Sequence, residues 1–291
     1  MKQYLDYIME QLEKLMAIDS PSGFTEKVID YLLDEYARLG YSAKRTVKGG
    51  VIAEIGGEGD PILTMAHVDT LGAVVAEIKS NGRLRLSPVG GFNANNAEAH
   101  NCRVYTYDGQ IYEGTIQLAD ASLHVNKEYS TTQRTFQSVE VVLDEPVTSK
   151  DDVKALGITN GCFVCADPNL IVTNSGYIKS RFLDDQLSAA ILLGYAKYIR
   201  ENNITPLRKV YQHMTVFEEV GHGACASIPE DVTELLSVDM GCVGDGLECT
   251  ERQVSICAKD GHGPYNYQVT TGLVNAAKKD SIDYAVDIYP F

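Results

Sequence analysis

Four short segments carry side chains that can bind a cation or move a proton. The first is Ala66-His67-Val68-Asp69-Thr70, which follows an apolar run at residues 62–65. Residues two apart in an extended segment face the same side, so His67 and Asp69 can project together. One imidazole nitrogen can bind a metal while a carboxylate accepts the other ring N–H and fixes the tautomer. A surface ion pair is the plainer reading of the same spacing. The second segment, Ser180-Arg181-Phe182-Leu183-Asp184-Asp185, opens an expected helix. Helix capping explains one of its aspartates, and Asp184 as a bridge between two cations explains the other. The third is Val216-Phe217-Glu218-Glu219-Val220-Gly221-His222-Gly223. Adjacent glutamates at the apolar end of a strand are costly to bury unless paired or metal-bound. One can ligate a metal while the other takes a proton from water, or both can sit in a solvated turn. The fourth, Ser237-Val238-Asp239-Met240-Gly241, adds a single carboxylate at another strand end. Together, one imidazole and several carboxylates form a mixed nitrogen–oxygen donor set suited to Zn²⁺, Co²⁺ or Mn²⁺.

The elements that must position these residues can be read from periodicity. Leu5, Ile8, Met9, Leu12, Leu15 and Met16 recur at helical spacing, predicting an amphipathic helix ending near Ile18. Ser20-Pro21-Ser22-Gly23 breaks it. A second helix is expected from Thr25 to Leu39, with Gly40 beyond its end. Lys48-Gly49-Gly50 reads as a hairpin turn. From residue 71 to 172 helical periodicity almost vanishes, and Val, Ile, Thr and Tyr alternate between turn residues, predicting a small all-β unit. Later expectations are a helix from Asp184 to Arg200, strands over 210–217, 235–238 and 254–258, and a helix over 265–278. The fold expected is an α/β domain of residues 1–70 and 173–291, interrupted by a β domain at 71–172. Motifs at the ends of its strands occupy the place where open α/β sheets build their sites.

Composition narrows the setting. The 291 residues suffice for one large domain or two modest ones. Forty acidic against 25 basic residues give a formal charge of -15, which repels a phosphate backbone and argues against nucleic acid. No apolar run approaches the roughly 20 residues of a membrane-spanning helix. The N-terminus has no basic stretch leading into an apolar core, so the cytoplasm is the default expectation. The seven cysteines are odd in number and scattered, which favours reduced thiols. Cys162 and Cys165 have CxxC spacing but lie in an apolar strand-like run with no second such pair.

The four segments, in this order, resemble the tetrahedral, or TET-type, dinuclear zinc aminopeptidases of metallopeptidase family 42. That family includes glutamyl and deblocking aminopeptidases and proteins once labelled endoglucanases. The likeness runs from near Leu12 to Phe291 and takes in Ser20-Pro21-Ser22-Gly23, Gly157-Ile158-Thr159-Asn160-Gly161 and Gly261-His262-Gly263-Pro264. The resemblance implies a zinc-aminopeptidase-like α/β/α sandwich with a mixed sheet and an inserted, barrel-like β domain that serves dimerisation or acts as a lid. It also implies two divalent ions, one held by His67, Asp184 and Asp239 and the other by Asp184 and Glu219. Asp69 would orient His67, and the Asp184–Asp185 peptide would be cis. A hydroxide bridging the two metals would attack the peptide carbonyl, with Glu218 as general base and then as proton donor to the leaving amine. The implied partners are peptide substrates and further copies of the chain, as dimers building a twelve-subunit tetrahedron.

One family feature falls beyond the last residue. The second metal of the family has a further His ligand past a strand and helix that would continue after Phe291, so this site is expected to bind weakly. A family member that keeps the fold without catalysis is therefore the alternative expectation. A glycoside hydrolase is a further alternative, resting on the old family labels. It would use a carboxylate pair without an obligatory metal.

Overall fold

The residues described in the computed structural model are 1–290. They form two compact units, Met1–Val238 and Asp239–Phe291. The first unit opens with α1 (Lys2–Met16), which buries Tyr4, Tyr7, Gln11, Leu12, Leu15 and Met16; of the expected stripe, Leu12, Leu15 and Met16 are buried, Ile8 and Met9 partly so, and Leu5 is exposed. The helix α2 (Glu26–Arg38) follows, then β1 (Ala43–Arg45) and β2 (Val51–Gly56), paired antiparallel through the Lys48-Gly49-Gly50 turn with Arg45 opposite Val51. Gly49 sits at φ +105°, a conformation open to glycine. The next strand, β3 (Ile62–His67), ends on the imidazole of interest.

The chain then enters a closed six-stranded barrel. Its strands are β4 (Gly72–Ile78) and β5 (Leu84–Val89), then, after the short helix α3 (Ala94–Ala97), β6 (His100–Tyr105), β7 (Ile111–Leu118) and β8 (Val139–Leu143). A second short helix, α4 (Lys150–Ala155), precedes β9 (Phe163–Ala166), and the barrel closes in the order β4-β5-β8-β7-β6-β9. The sequence reading missed both short helices. Each is too short for periodicity to register, although Ser149 and Asp152 form a capping box at the start of α4. Alternate residues of the strands fill the barrel, among them Val75, Leu84, Leu86, Val104, Ile116, Val141 and Val164. Cys162 and Cys165 are buried free thiols in and beside β9, consistent with the structural reading of their spacing.

A small hairpin, β10 (Ile171–Val172) and β11 (Ile178–Lys179), leads to α5 (Leu183–Glu201). Two strands complete the unit, β12 (Val210–Thr215) and β13 (Glu234–Ser237). The resulting sheet has the order β1-β2-β12-β3-β13, with β12, β3 and β13 parallel and β1 and β2 antiparallel. This is the expected mixed sheet. All six residues of β12 are buried, as befits a central strand. Gln212 within it is satisfied by the Tyr36 hydroxyl at 2.8 Å and the Leu192 carbonyl at 2.8 Å. Helices α1, α2 and α5 cover one face, packing Leu12, Leu15, Ile29, Leu32, Leu193 and Met214 into one core.

The second unit contains β14 (Val254–Asp260), β15 (Gly263–Pro264), α6 (Tyr267–Lys279) and β16 (Tyr284–Ile288). Its three-stranded sheet has the order β15-β14-β16, with β14 and β16 parallel. Among the described residues, no helix is long and apolar enough to cross a membrane.

Candidate metal centre

Strand β3 delivers His67 to the end of the parallel part of the sheet, where Thr215 of β12 lies beside it. The imidazole is 2% exposed. Its Nε2 lies 2.9 Å from Asp184 Oδ1 and 3.6 Å from Glu218 Oε2. One ligand atom from each of His67, Asp184 and Glu219 falls within 4.8 Å of the others, a grouping that could hold a metal ion.

Asp184 reaches this position because α5 does not begin as a regular helix. Phe182 adopts the left-handed conformation, and Asp184 and Asp185 have non-helical backbone angles. The peptide between the two aspartates is cis. Asp185 is buried and accepts a 3.0 Å hydrogen bond from the backbone N–H of His67. The next side chain, Gln186, donates to the Val68 carbonyl at 3.0 Å. The start of α5 is thus stitched to the end of β3.

Glu218 and Glu219 lie in a tight turn after β12. Phe217 takes a positive φ of 67°, and the Gly221 N–H donates back to the Glu218 carbonyl at 2.7 Å. Asp69, fully buried, holds this turn. Its Oδ1 accepts from the Glu218 N–H at 3.1 Å, and its Oδ2 accepts from the Glu219 N–H at 3.3 Å and the Ser22 hydroxyl at 2.5 Å. His67 Nδ1 lies closer to the Asp69 backbone carbonyl, at 2.9 Å, than to its carboxylate, at 3.6 Å. Two side chains that sequence reasoning had not assigned therefore belong to the site. Asp185 ties down the His67 backbone, and Ser22 orients Asp69. The signal for Ser22 lay in its motif, since small hydroxyl residues at a chain break suit close backbone approach. Ser20 donates to the Val68 carbonyl at 2.8 Å, while backbone bonds between Ser20 or Ser22 and Thr70 complete the clamp.

Of the other candidates, Asp239 opens the second unit and accepts from the Met240 N–H. His222 stacks on Phe217 with ring centroids 5.2 Å apart. His213 is buried in β12, and His262 donates its N–H to Asp260.

The electrostatics of the cluster point to a cation. Burial, reinforced by the charge of Asp184, pushes the Glu219 carboxyl up to about 8. Burial opposes a charge on His67, but hydrogen bonding to Asp184 and Asp69 outweighs it and lifts the imidazole to about 12. Asp69 is held below the usual range despite its burial, by His67, Ser22 and the Glu218 N–H. A carboxylate forced toward neutrality beside an imidazole forced toward protonation is the signature of a site short of positive charge. A bound cation would supply it and return both groups to their ligating forms.

Comparison with known proteins decides the lineage. The family model described as M42 glutamyl aminopeptidase matches residues 49–291. The chain belongs to the M42 family. It is 42% identical over 285 residues to YhfE of Bacillus subtilis (strain 168), covering 97% of this chain and 82% of that protein. The glutamyl aminopeptidase of Lactococcus lactis subsp. cremoris (strain MG1363) is 24% identical over 220 residues, 74% of this chain and 60% of that one. The fold matches a TET aminopeptidase from the marine sediment archaeon Thaumarchaeota archaeon SCGC AB-539-E09, with a TM-score of 0.87 at 21% identity, over 97% of this chain and 81% of that one. It also matches the TET1 peptidase of Pyrococcus horikoshii, which can assemble into a tetrahedron or a large octahedral shell, with a TM-score of 0.84 at 24% identity, over 97% and 84%. M42 proteins are dinuclear metallopeptidases, so the chain descends from peptide hydrolases with metal-dependent chemistry.

Proposed function

We propose that this M42 protein is a metal-dependent aminopeptidase that removes N-terminal residues from peptides. The observation that carries the reading is the convergence of His67, Asp184 and Glu219 within 4.8 Å, with Glu218 at their edge. Their donor chemistry, one imidazole with carboxylates, fits zinc first and cobalt or manganese next. His67 and Asp184 would hold one ion, and Asp184 and Glu219 the other. The second pair offers only oxygen donors, so it is expected to be the weaker site. When bound, divalent ions polarise the scissile carbonyl and acidify the attacking water.

The chain's own residues do the rest. Glu218 has a side chain 48% exposed, open to substrate, and accepts the proton of the attacking water. It then returns that proton to the amine that leaves. Asp69 fixes the backbone that carries Glu218, and the Asp69 carbonyl holds the His67 tautomer. Further copies of the chain are proposed as partners, with the barrel as the dimerisation element, a reading that light scattering tests.

The decisive experiment measures metal content alongside release of N-terminal residues. Glu218→Gln is expected to retain bound metal while lowering kcat by about 10²- to 10⁴-fold, the usual contribution of a general base. Chelation is expected to abolish turnover. Activity that survives both perturbations would exclude this reading.

A further inference from the structure

The inserted barrel sends a glycine against a candidate metal ligand. Gly90 lies in the loop between β5 and α3, close against the turn that follows β12. A Cβ on it would stand 2.9 Å from the Glu219 carbonyl oxygen and 3.2 Å from the Glu219 Cβ. It would also fall 2.8 Å from Leu71 Cδ2, but that atom ends a flexible side chain and can swing away. The Glu219 main chain cannot. Gly90 further holds a positive φ of 65°, which glycine adopts without strain. Its neighbour Gly91 is ordinary by comparison, since a Cβ there would meet Leu71 Cδ2 at 4.0 Å.

Both sides of this contact are anchored. On the barrel side, Val89 pairs with Gly72 across β4 and β5, and a Cβ on Gly72 would fall 2.8 Å from the Pro21 Cβ. The root of the loop therefore has little room to retreat. On the other side, Asp69 accepts from the Glu218 N–H at 3.1 Å and the Glu219 N–H at 3.3 Å. These contacts close a ring. The chain runs from His67 and Asp69 through Thr70 and Leu71 into β4, β4 pairs with the end of β5, and Gly90 returns to Glu219. Glu219 is thus braced through its main chain, by Asp69 on its N–H and by Gly90 against its carbonyl.

We propose that Gly90 is a positioning residue of the metal centre, a bare backbone backstop that sets where the Glu219 carboxylate meets a cation. The β5–α3 loop makes the barrel a wall of the site as well as a neighbouring domain. The inference rests on the metal-dependent reading of the cluster, and it concerns the placement of a ligand, not the steps of turnover. A side chain at position 90 would push the Glu219 turn off its seat on Asp69 and carry the carboxyl away from His67 and Asp184.

Titration of the chelated protein with Co²⁺, followed by calorimetry and by absorption of the bound ion, tests this without a substrate. Glu219→Ala identifies the cation that Glu219 holds. Gly90→Ala is expected to weaken binding of that same cation by about 10- to 100-fold, the usual worth of the groups that support a ligand. Gly91→Ala is expected to bind as wild type does. Gly90→Asn adds the same Cβ on a residue that tolerates positive φ. It is expected to weaken binding as alanine does, and it serves if Gly90→Ala folds poorly. Adding Leu71→Ala to Gly90→Ala removes the side-chain clash and leaves the one with Glu219, so affinity is expected to stay low relative to Leu71→Ala alone. Wild-type affinity in either Gly90 variant overturns the proposal. So does an equal loss in Gly91→Ala, or recovery in the double variant. A wild type that binds no Co²⁺ overturns the metal reading along with the backstop. Co²⁺ binding that depends on Gly90, without release of N-terminal residues, supports the backstop and counts against the aminopeptidase reading alone.

Discussion

Asp69→Asn probes how the two halves of the site are joined. The carboxylate accepts three hydrogen bonds, from the Glu218 and Glu219 N–H groups and the Ser22 hydroxyl, and is wholly buried. An asparagine offers one acceptor oxygen where the aspartate offered two. If its nitrogen replaces Oδ1, the Glu218 N–H meets another donor. If it replaces Oδ2, the Glu219 N–H does so, while Ser22 can rotate to accept. Either way one backbone donor is left unsatisfied and the others lose a charged acceptor, at about 1.5–3 kcal/mol for each charge-assisted bond. Removing one of several neighbouring negative charges acts in the opposite direction. In metal-loaded protein, bound cations already offset that repulsion, so the hydrogen-bond loss dominates at about 3–5 kcal/mol. In chelated protein the relief is larger and the net loss smaller. Urea unfolding of both forms measures the pair of values. Ser22→Ala, which removes one donor and leaves the charge, is expected to cost about 1–2 kcal/mol. Asp69→Asn within about 1 kcal/mol of wild type in the loaded form, with kcat unchanged, would refute the bridging role.

Two further predictions concern the scaffold. Glu35 is buried, hydrogen-bonded by Tyr7 and paired with Arg38 at 2.5 Å, and although burial opposes its charge those partners hold its carboxyl below the usual 4.5. A depressed carboxylate contributes stability above its unfolded value and loses it as pH falls through the folded one. Glu35→Gln is therefore expected to destabilise by about 2 kcal/mol at pH 7, discounted for the half-exposed Arg38, and by progressively less below about pH 4.5. Denaturant midpoints across pH test this, and a penalty that stays constant into acid would contradict it. Gly57 lies at φ +91°, where a Cβ would fall 1.8 Å from the Arg208 carbonyl oxygen. Gly57→Ala is expected to cost about 3 kcal/mol through strain and overpacking, read as a lowered melting temperature, and a change under about 0.5 kcal/mol would show that the loop relaxes freely.

What the sequence disclosed and what it hid divide along a physical line. Periodicity located α1, α5 and the central strands because burial on one stripe or both faces must appear in residue type. Leu12, Leu15 and the fully buried β12 are examples. Strand ends marked His67, Glu218 and Glu219, because carboxylates and imidazoles next to apolar runs are costly without a purpose. Backbone-mediated placement left no such trace. Nothing in the composition of Asp184-Asp185 reveals that the first aspartate approaches the imidazole while the second holds the His67 backbone N–H. Nor does His-x-Asp spacing reveal that the Asp69 carbonyl, rather than its carboxylate, makes the closer contact with Nδ1.

That division explains why Asp69 binds what it does. His67 must keep Nε2 free for a cation, and a backbone carbonyl suffices to fix the opposite nitrogen. The carboxylate is then available for a task that a carbonyl two residues along the chain cannot perform. It gathers three donors from two distant segments, residues 20–23 and 217–219, around the end of β3. Ligands drawn from β3, α5 and the turn after β12 can share one centre only if those segments keep fixed distances without the metal's help. Asp69, Asp185 and Gln186 supply that fixity through bonds to main-chain atoms. Truncating Asp69 or Gln186 should therefore cost metal affinity and turnover together, although neither is a candidate ligand.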